Sequence, residues 1–476
     1  MPKAATITGD AWLDAEIARC ASDPNRFNDV ILGRGPYWSR QVEICESVTQ
    51  YRQTAVKSGN GIGKTYLLAG LALWAFSSHP GCKVVLSAPT LGQLEGAVWG
   101  EIETGYNSAA ANGMPLGGRL RHLTLEQDAA WRLECYGQGS VAAKSGRHAQ
   151  YLFAFIDEAS GTPREVDEAI DSLNPSCIVR FGNPLSPEGK FFEVCELSGA
   201  NPHVNVFKVP SLESPHIHLE RSPHGMADAT WLESMRHEYG EDSIWWLSHI
   251  LAEFPTEVSE GLLRGEWLTL ASQTVHLAAG DRWLGVDLGE GTGGDPSELV
   301  VRDDNGVCTD KAGPGHESSN RWSLETTAER AAAMRERFDV EPSHVVYDAG
   351  GLGADFDNRL RSVGINGAFG YKGGNAGGGG KFANLRTACH WRLRQRLNPA
   401  QQVRGLEGKR KIWVPQKPFS IPAELVSRYR AELTGIKYQL IGDTIALEDK
   451  KEFVKRLKKS PNFLDALAMT YALPYL

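Results

Sequence analysis

The sequence predicts an α/β protein in two parts: a first domain over residues 1–257 built on a mainly parallel sheet, a linker over 258–280, and a second α/β domain over 281–476. Three observations carry this expectation. Short β-branched apolar runs alternate with helical stretches after residue 50, which is the pattern of a parallel sheet with crossover helices. A strand-led pattern begins afresh at Trp283, beyond a stretch in which Gly261, Gly265 and Gly280 interrupt short apolar pieces. At 476 residues the chain also exceeds what one hydrophobic core usually organises.

Taken in order, residues 1 to about 50 read as helices, and they end in Tyr37-Trp38-Ser39-Arg40-Gln41. An aromatic and an amide at that distance before residue 52 could hold a nucleobase, with Gln41 reading its edge. Residues 52–76, RQTAVKSGNGIGKTYLLAGLALWAF, join a strand to a Gly-rich turn and then to an apolar helix. The turn, Ser58-Gly59-Asn60-Gly61-Ile62-Gly63-Lys64-Thr65, fits a loop that cradles ATP phosphates. Its glycines let successive N–H groups point inward, and the helix that follows adds the positive end of its dipole. Lys64 would reach the β- and γ-phosphates and the Thr65 hydroxyl would ligate Mg²⁺. Ser58 stands where the usual pattern has its first glycine.

A strand over residues 82–90 is stopped by Pro89, with Gln93 expected on the next helix, and residues 107–140 read as polar turns with a short antiparallel excursion. Residues 151–156, YLFAFI, form a continuous apolar run of the kind buried on both faces. It ends in Asp157-Glu158, where open α/β sheets hold their ligands. Asp157 would hold Mg²⁺ through water, and Glu158 would polarise the water attacking the γ-phosphate. The strand at 176–181 ends in Gly182-Asn183-Pro184, and Asn183 could sense the γ-phosphate. Arg147, in a polar loop ten residues before Asp157, could bring a guanidinium to a phosphate of its own subunit or of a neighbour.

In the second domain, Trp283-Leu284-Gly285-Val286-Asp287-Leu288-Gly289 and residues 297–302 read as a hairpin that presents Asp287. The strand at 344–347 ends in Asp348. Asp465 falls within an otherwise apolar helix, next to Phe463, Leu464, Leu467 and Ala468. A charge there is costly unless it is paired or metal-bound. Asp287, Asp348 and Asp465 could converge on two Mg²⁺ or Mn²⁺ ions about 3.5–4 Å apart and hydrolyse a phosphodiester. Asp295 competes for third place, but an aspartate between glycines and Pro296 is what a turn asks for.

Charge is divided unevenly along the chain. The net charge of −8 conceals 19 Lys+Arg against 8 Asp+Glu from residue 381 onward, with 31 against 50 before it. Basic runs at Lys409-Arg410-Lys411 and at Lys455, Arg456, Lys458 and Lys459 fit contacts with a DNA backbone that ignore its sequence. Eight scattered cysteines with no C-x-x-C pair indicate reduced thiols. No apolar run approaches a membrane span and no signal peptide is evident at the start, so a cytoplasmic protein without a membrane partner is expected.

The order of these motifs resembles the large terminase subunit of tailed bacteriophages or prophages: phosphate loop, Asp-Glu strand end, Gly-Asn-Pro, Val-Asp-Leu-Gly hairpin, Tyr-Asp-Ala-Gly, and a final Ser-Pro-x-x-x-Asp-Ala-Leu. The resemblance covers nearly the whole chain. It implies a P-loop packaging ATPase followed by a ribonuclease-H-like nuclease. It also implies a motor that pumps double-stranded DNA into a procapsid in the host cytoplasm and cuts the concatemer, without becoming part of the mature virion. The implied partners are a small terminase subunit, the portal protein, and further copies of the chain in a ring, usually of five. On this resemblance Lys64 and Thr65, Asp157 and Glu158, Asn183 and Gln41 fall on the ATPase positions, and Asp287, Asp348 and Asp465 on the nuclease acids. Two departures stand out. Asn60 occupies a loop position where many relatives have arginine, which leaves Arg147 as the candidate finger, and Asn462 replaces the aspartate of a Ser-Pro-Asp motif. A cellular helicase or remodelling ATPase with an appended nuclease, and a DNA-binding scaffold with decayed sites, are the other readings of the same residues.

Overall fold

The computed structural model describes residues 8–136, 151–199, 201–223, 225–257, 259–289, 294–407 and 410–473; of the side chains at 404–412 nothing is described. The chain divides into two compact units, Met1–Glu257 and Val258–Leu476.

The first unit is built on an eight-stranded sheet. Its strands are β1 (Gln53–Ser58), β2 (Lys83–Ser87), β3 (Arg119–Arg121), β4 (Thr124–Glu126), β5 (Arg132–Tyr136), β6 (Leu152–Ile156), β7 (Cys177–Gly182) and β8 (Val204–Val209). Their spatial order is β3-β4-β5-β2-β6-β7-β1-β8. From β5 to β8 every neighbouring pair is parallel, and β3 and β4 add the antiparallel excursion at one edge. The helix Lys64–Ser78 is buried along nearly its whole length. Its apolar residues surround the axis, as they must in a helix enclosed on all sides, and burying a side chain such as Leu67, Leu71 or Phe76 contributes roughly 1.5–3 kcal/mol. This strand order decides where the chemistry falls. Because β7 lies between β1 and β6, the segments leaving the C-terminal ends of three adjacent strands stand side by side: the Gly-rich loop after β1, Asn183 after β7 and Asp157 after β6.

The second unit holds a mixed six-stranded sheet. Here β9 (Ser259–Gly261) precedes β10 (Trp283–Asp287), β11 (Ser297–Asp303), β12 (Gly306–Val307), β13 (Thr309–Asp310), β14 (Gly313–Pro314), β15 (His316–Ser319), β16 (Val345–Asp348) and β17 (Phe369–Tyr371). They are followed by β18 (Gln402–Glu407), β19 (Arg410–Pro415), β20 (Lys437–Ile441) and β21 (Thr444–Leu447). The order is β12-β11-β10-β16-β17 with β15 also on β11; β10 runs antiparallel to β11 and parallel to β16. Antiparallel strands are thus followed across the sheet by parallel ones. Leu284 and Val286 of β10 enter a core with Leu299, Val301, Ala331, Met334 and Val345. Gly285 and Asp287 therefore point to the other face, which the helix Asn462–Met469 covers. Contact there is close enough that a Cβ at Gly285 would lie 1.9 Å from the Ala466 carbonyl oxygen, so only glycine lets the helix sit down beside Asp287.

Residues 258–280, expected as a linker, carry structure of their own. β9 pairs with β20, and the helix Gly265–Gln273 buries Trp267, Leu268 and Ala271. The glycines that suggested a hinge sit among apolar residues that need a core, and the second unit supplies it.

Candidate functional site

The loop after β1 is fixed from below and open above. The Gly59 N–H donates to the Val209 carbonyl (2.9 Å) and the Asn60 N–H to that of His249 (2.7 Å), while the Ala227 N–H donates to the Gly61 carbonyl (2.7 Å). The Ser211 hydroxyl donates to the Asn60 and His249 carbonyls (2.7 and 3.0 Å). Among the described residues, no acceptor pairs with the N–H groups of Gly61, Ile62, Gly63, Lys64 and Thr65. Five successive amides at the start of a long buried helix thus have no partner among the described residues, an arrangement suited to an anion. Gly63 adopts φ +79°, which any residue with a side chain would hold under strain. The Gly59 and Asn60 N–H groups, by contrast, are taken up as tethers of the loop. Ser58 is the last residue of β1, fully buried, and its carbonyl accepts from Asn183.

Three polar side chains close the loop. The Lys64 ammonium donates to the Gly59 carbonyl and to Asn183 Oδ1, both at 3.2 Å. Asn183 Nδ2 donates to the Ser58 carbonyl (2.8 Å) and to Asn60 Oδ1 (3.0 Å), tying the end of β7 directly to the loop. Gln41 is buried, and its Nε2 donates to the carbonyls of Ile62 (3.3 Å) and Gly63 (3.1 Å). In this structure the amide donor expected to read a nucleobase instead holds the loop backbone, with Trp38 Nε1 on the same Ile62 carbonyl. Asp157 is buried at the tip of β6. Burial pushes its carboxyl above the usual range, and the Lys64 ammonium together with the Glu158 N–H opposes the shift. Glu158 has φ +49°, a left-handed conformation rare for a residue with a side chain. Such strain at the end of a sheet is a mark of functional positions.

In the second unit, Asp287 and Asp348 end the adjacent strands β10 and β16, and Asp465 faces them from the covering helix. The three carboxylates sense one another. Burial first, then Asp465, Asp348 and Glu298, push the Asp287 carboxyl well above its ordinary value, against the pull of the Lys450 ammonium. Asp348 is raised by burial and by Asp465, and the Gly350 N–H and Lys450 oppose this. Burial alone would raise Asp465 too, but Arg386, Lys450 and His390 hold it well below the carboxylate range. Its Oδ1 lies 3.1 Å from both Arg386 Nε and His390 Nε2, and its Oδ2 2.9 Å from Lys450 Nζ. The sequence led us to expect a bound cation as the compensating charge; the chain supplies two cations of its own, Arg386 and Lys450, beside the His390 imidazole, which burial holds below its usual range. Asp295 is exposed in the turn before β11, as a turn aspartate should be.

No family model matches the chain. Over 293 residues it is 28% identical to the probable large terminase subunit of Enterobacteria phage P7. The chain is similar to a phage large terminase subunit. That match covers 57% of the chain and 57% of the phage P7 terminase, so the chain spans little more than half the length of this relative. Among solved structures, the large terminase of a thermophilic bacteriophage in complex with ADP aligns over 92% of this chain and 98% of its own, at 15% identity and a TM-score of 0.44. The HK97 large terminase aligns over 97% of this chain and 99% of its own, at 11% and 0.37. The nuclease domain of the Sf6 large terminase subunit aligns over 44% and 97%, at 21% and 0.36.

Around the terminase-like motifs lie residues that the sequence reading missed. Glu298 sits opposite Asp287 in the β10–β11 register. It is buried and holds His316 Nε2 (2.7 Å), the Ser318 hydroxyl (2.8 Å) and the Tyr429 hydroxyl (3.0 Å). Glu432 caps the helix that carries Asp465, its Oε1 accepting the Leu464 N–H (2.7 Å). Burial pushes the Glu432 carboxyl up to about 8. A glutamate inside the apolar run of β11 was the one available signal; Arg386, His390, Lys450 and Glu432 lie in segments that read as ordinary amphipathic helices.

The expected basic contacts divide. Lys455 is exposed, but the Arg456 guanidinium donates to the Gly435 carbonyl and to Glu448 (both 2.6 Å). Lys459 is half-exposed, 3.8 Å from Glu432, and Lys458 ends its helix in a left-handed conformation. Arg147 and Lys409 lie outside the described residues, as do the side chains of Arg410 and Lys411.

Proposed function

We propose that the chain is the catalytic subunit of a phage DNA-packaging motor, hydrolysing ATP to move double-stranded DNA into a procapsid and cutting concatemeric DNA with a second, metal-dependent centre. The observation that carries this reading is the pairing, in one chain, of a five-amide cradle flanked by Lys64, Asp157 and Asn183 with a separate centre of three converging aspartates. The likeness to the phage P7 terminase supports the same reading.

At the first site the amides of residues 61–65 and the Lys64 ammonium would bind the β- and γ-phosphates, and Thr65 and Asp157 would hold Mg²⁺. Glu158 would accept the proton of the attacking water. Asn183 touches both Lys64 and the loop, so loss of the γ-phosphate would be felt at the end of β7. Arg147 is assigned to the ATP of its own subunit or of a neighbour. At the second site Asp287, Asp348 and Asp465 would hold two Mg²⁺ or Mn²⁺ ions; a buried, carboxylate-only donor set that already attracts an ammonium fits hard divalent cations. Such ions activate water and stabilise the leaving oxygen of a phosphodiester. Lys455, Lys458 and Lys459, with Lys409, Arg410 and Lys411, would hold the DNA backbone; Arg456, tied internally, contributes less. The portal protein, a small terminase subunit and further copies of the chain, in a ring of five, complete the motor in the host cytoplasm.

The test is ATP-dependent protection of double-stranded DNA from nuclease in the presence of portal-bearing procapsids. Protection that requires ATP and portal is the expected outcome. ATP-driven strand separation without any response to portal would identify a cellular helicase or remodelling enzyme instead.

A further inference from the structure

Lys450 is the first residue of the helix Lys450–Leu457, where a cation opposes the partial positive charge of the helix N-terminus. The position is therefore unfavourable for lysine on local grounds, and two carboxylates offset it. Asp449 caps the helix by accepting the Lys451 N–H (2.7 Å). Asp465 meets the ammonium itself at 2.9 Å.

The two oxygens of Asp465 have unlike partners. Oδ1 faces Arg386 Nε and His390 Nε2, side chains that are 16% and 1% exposed and are held in place by the surrounding helices. Among the described residues, the ion-pair partner of Oδ2 is Lys450, whose side chain is 42% exposed and ends a flexible four-carbon stem. One lone-pair direction of the acidic centre is thus occupied by a positive group with an open path to water. The same ammonium also acts on Asp287 and Asp348, so it serves the whole centre rather than one carboxylate. A unit charge and a divalent ion cannot both lie within a few ångströms of one carboxylate oxygen without mutual repulsion of several kcal/mol, even at an effective dielectric near 20.

We infer that Lys450 is a resident counter-ion of the aspartate centre, which a divalent cation must displace from Asp465 Oδ2 in order to bind. This rests on the metal-dependent reading of the centre given above. It has two consequences. The unit folds without metal because the charge of Asp465 is already balanced by Arg386 and Lys450. Its apparent metal affinity is reduced by the fraction of molecules in which the ammonium is in place, so the centre fills only when cation is abundant.

Titration calorimetry of the full chain with Mn²⁺ tests this, alongside melting curves in EDTA and in Mn²⁺. Lys450→Met should bind Mn²⁺ about tenfold more tightly than the unaltered protein, the ratio expected if the ammonium occupies the site about nine-tenths of the time. It should also melt lower in EDTA and gain more from Mn²⁺. Lys450→Gln, which keeps an amide donor near Asp465 without the charge, should shift affinity in the same direction and guards against a folding defect in the methionine variant. Lys451→Met removes an equal charge from the exposed neighbouring position and should leave the affinity unchanged. If the unaltered protein binds Mn²⁺, Asp465→Asn does not, and folded Lys450→Met and Lys450→Gln bind no more tightly than the unaltered protein, the counter-ion role is overturned and the metal reading stands. If none of these proteins binds Mn²⁺, the metal reading fails and the counter-ion inference with it.

Discussion

Asp465→Asn should separate the chemistry of the second unit from its stability, and the structure sets the size of both effects. The carboxylate is buried between Arg386, His390 and Lys450. Removing one partner of a fully buried ion pair costs about 3–5 kcal/mol. Two features reduce that figure: Lys450 can return to water, since its side chain is 42% exposed, and an asparagine oxygen can still accept from Arg386. A loss of about 2 kcal/mol remains, which lowers the melting temperature of a unit this size by roughly 4–8 °C. The pH dependence follows from the depressed carboxyl of Asp465. A lowered folded value means the contribution is present above the unfolded value, near 3.9, and is lost as pH falls through the folded one. The gap between variant and parent should therefore be widest at neutral pH and close in strong acid. Mn²⁺-dependent cleavage should fall about a thousandfold, equivalent to about 4 kcal/mol of transition-state stabilisation. Differential scanning calorimetry in EDTA and a plasmid-nicking assay in Mn²⁺ measure the two effects. Asp295→Asn, at an exposed turn, should change neither by much. Undiminished cleavage by Asp465→Asn, or abolished cleavage by Asp295→Asn, would refute the three-aspartate centre.

Lys64→Ala should abolish ATP turnover and leave Mn²⁺-dependent cleavage intact, which parallel phosphate-release and nicking assays will show. Glu158→Gln should keep ATP binding, measured by nucleotide titration, but lose turnover. Asp287→Asn should melt higher than the parent in EDTA at neutral pH. A carboxyl raised by burial favours the folded state below the unfolded value and loses that support as pH rises through the folded one, so an uncharged asparagine removes the penalty while ending cleavage. Neutralising Lys455, Lys458 and Lys459 should flatten the salt dependence of binding to unrelated duplexes by about 0.9 for each phosphate that is no longer neutralised. Adding Arg456→Gln should lower the melting temperature more than it changes that slope, because its guanidinium is tied to Glu448 and Gly435.

The parts of the molecule legible in the sequence are those whose physics is local. The loop from Gly59 to Thr65 needs glycine at positive φ and a helix immediately after, and both constraints act on neighbouring residues. Apolar β-branched runs ending in Asp157 or Asp348 likewise announce a buried strand and its C-terminal tip. What could not be read is what arrives from far along the chain. Arg386, His390 and Lys450 meet Asp465 from two other helices, and no local pattern distinguishes them from residues on a solvated face. The hold of Gln41 on the loop was unreadable for the same reason, because its partners Ile62 and Gly63 lie on the far side of β1. The stretch at 258–280 is a different case: its glycines outweighed Leu262, Leu263, Trp267 and Leu268, which are buried beside β20 and helices that come more than 100 residues later.

The two acidic centres balance their charge in different ways, and the difference bears on how each would be regulated. Among the described residues, the cation acting on Asp157 is Lys64, which is also hydrogen-bonded to Asn183 and to the Gly59 carbonyl. A bound phosphate would draw Lys64 toward itself and weaken its hold on Asn183, so the charge balance at the tip of β6 is linked to the end of β7 through one side chain. Asp465, in contrast, is balanced by two cations of unequal mobility, Arg386 and the more exposed Lys450, with the buried His390 imidazole beside them. Loss of Lys450 would leave Arg386 in place, so part of the balance does not depend on the more exposed group. The first centre is therefore arranged so that a bound phosphate would be felt at the end of β7. The second is built to persist without one, and only the half-exposed Lys450 stands at the point where a cation would enter.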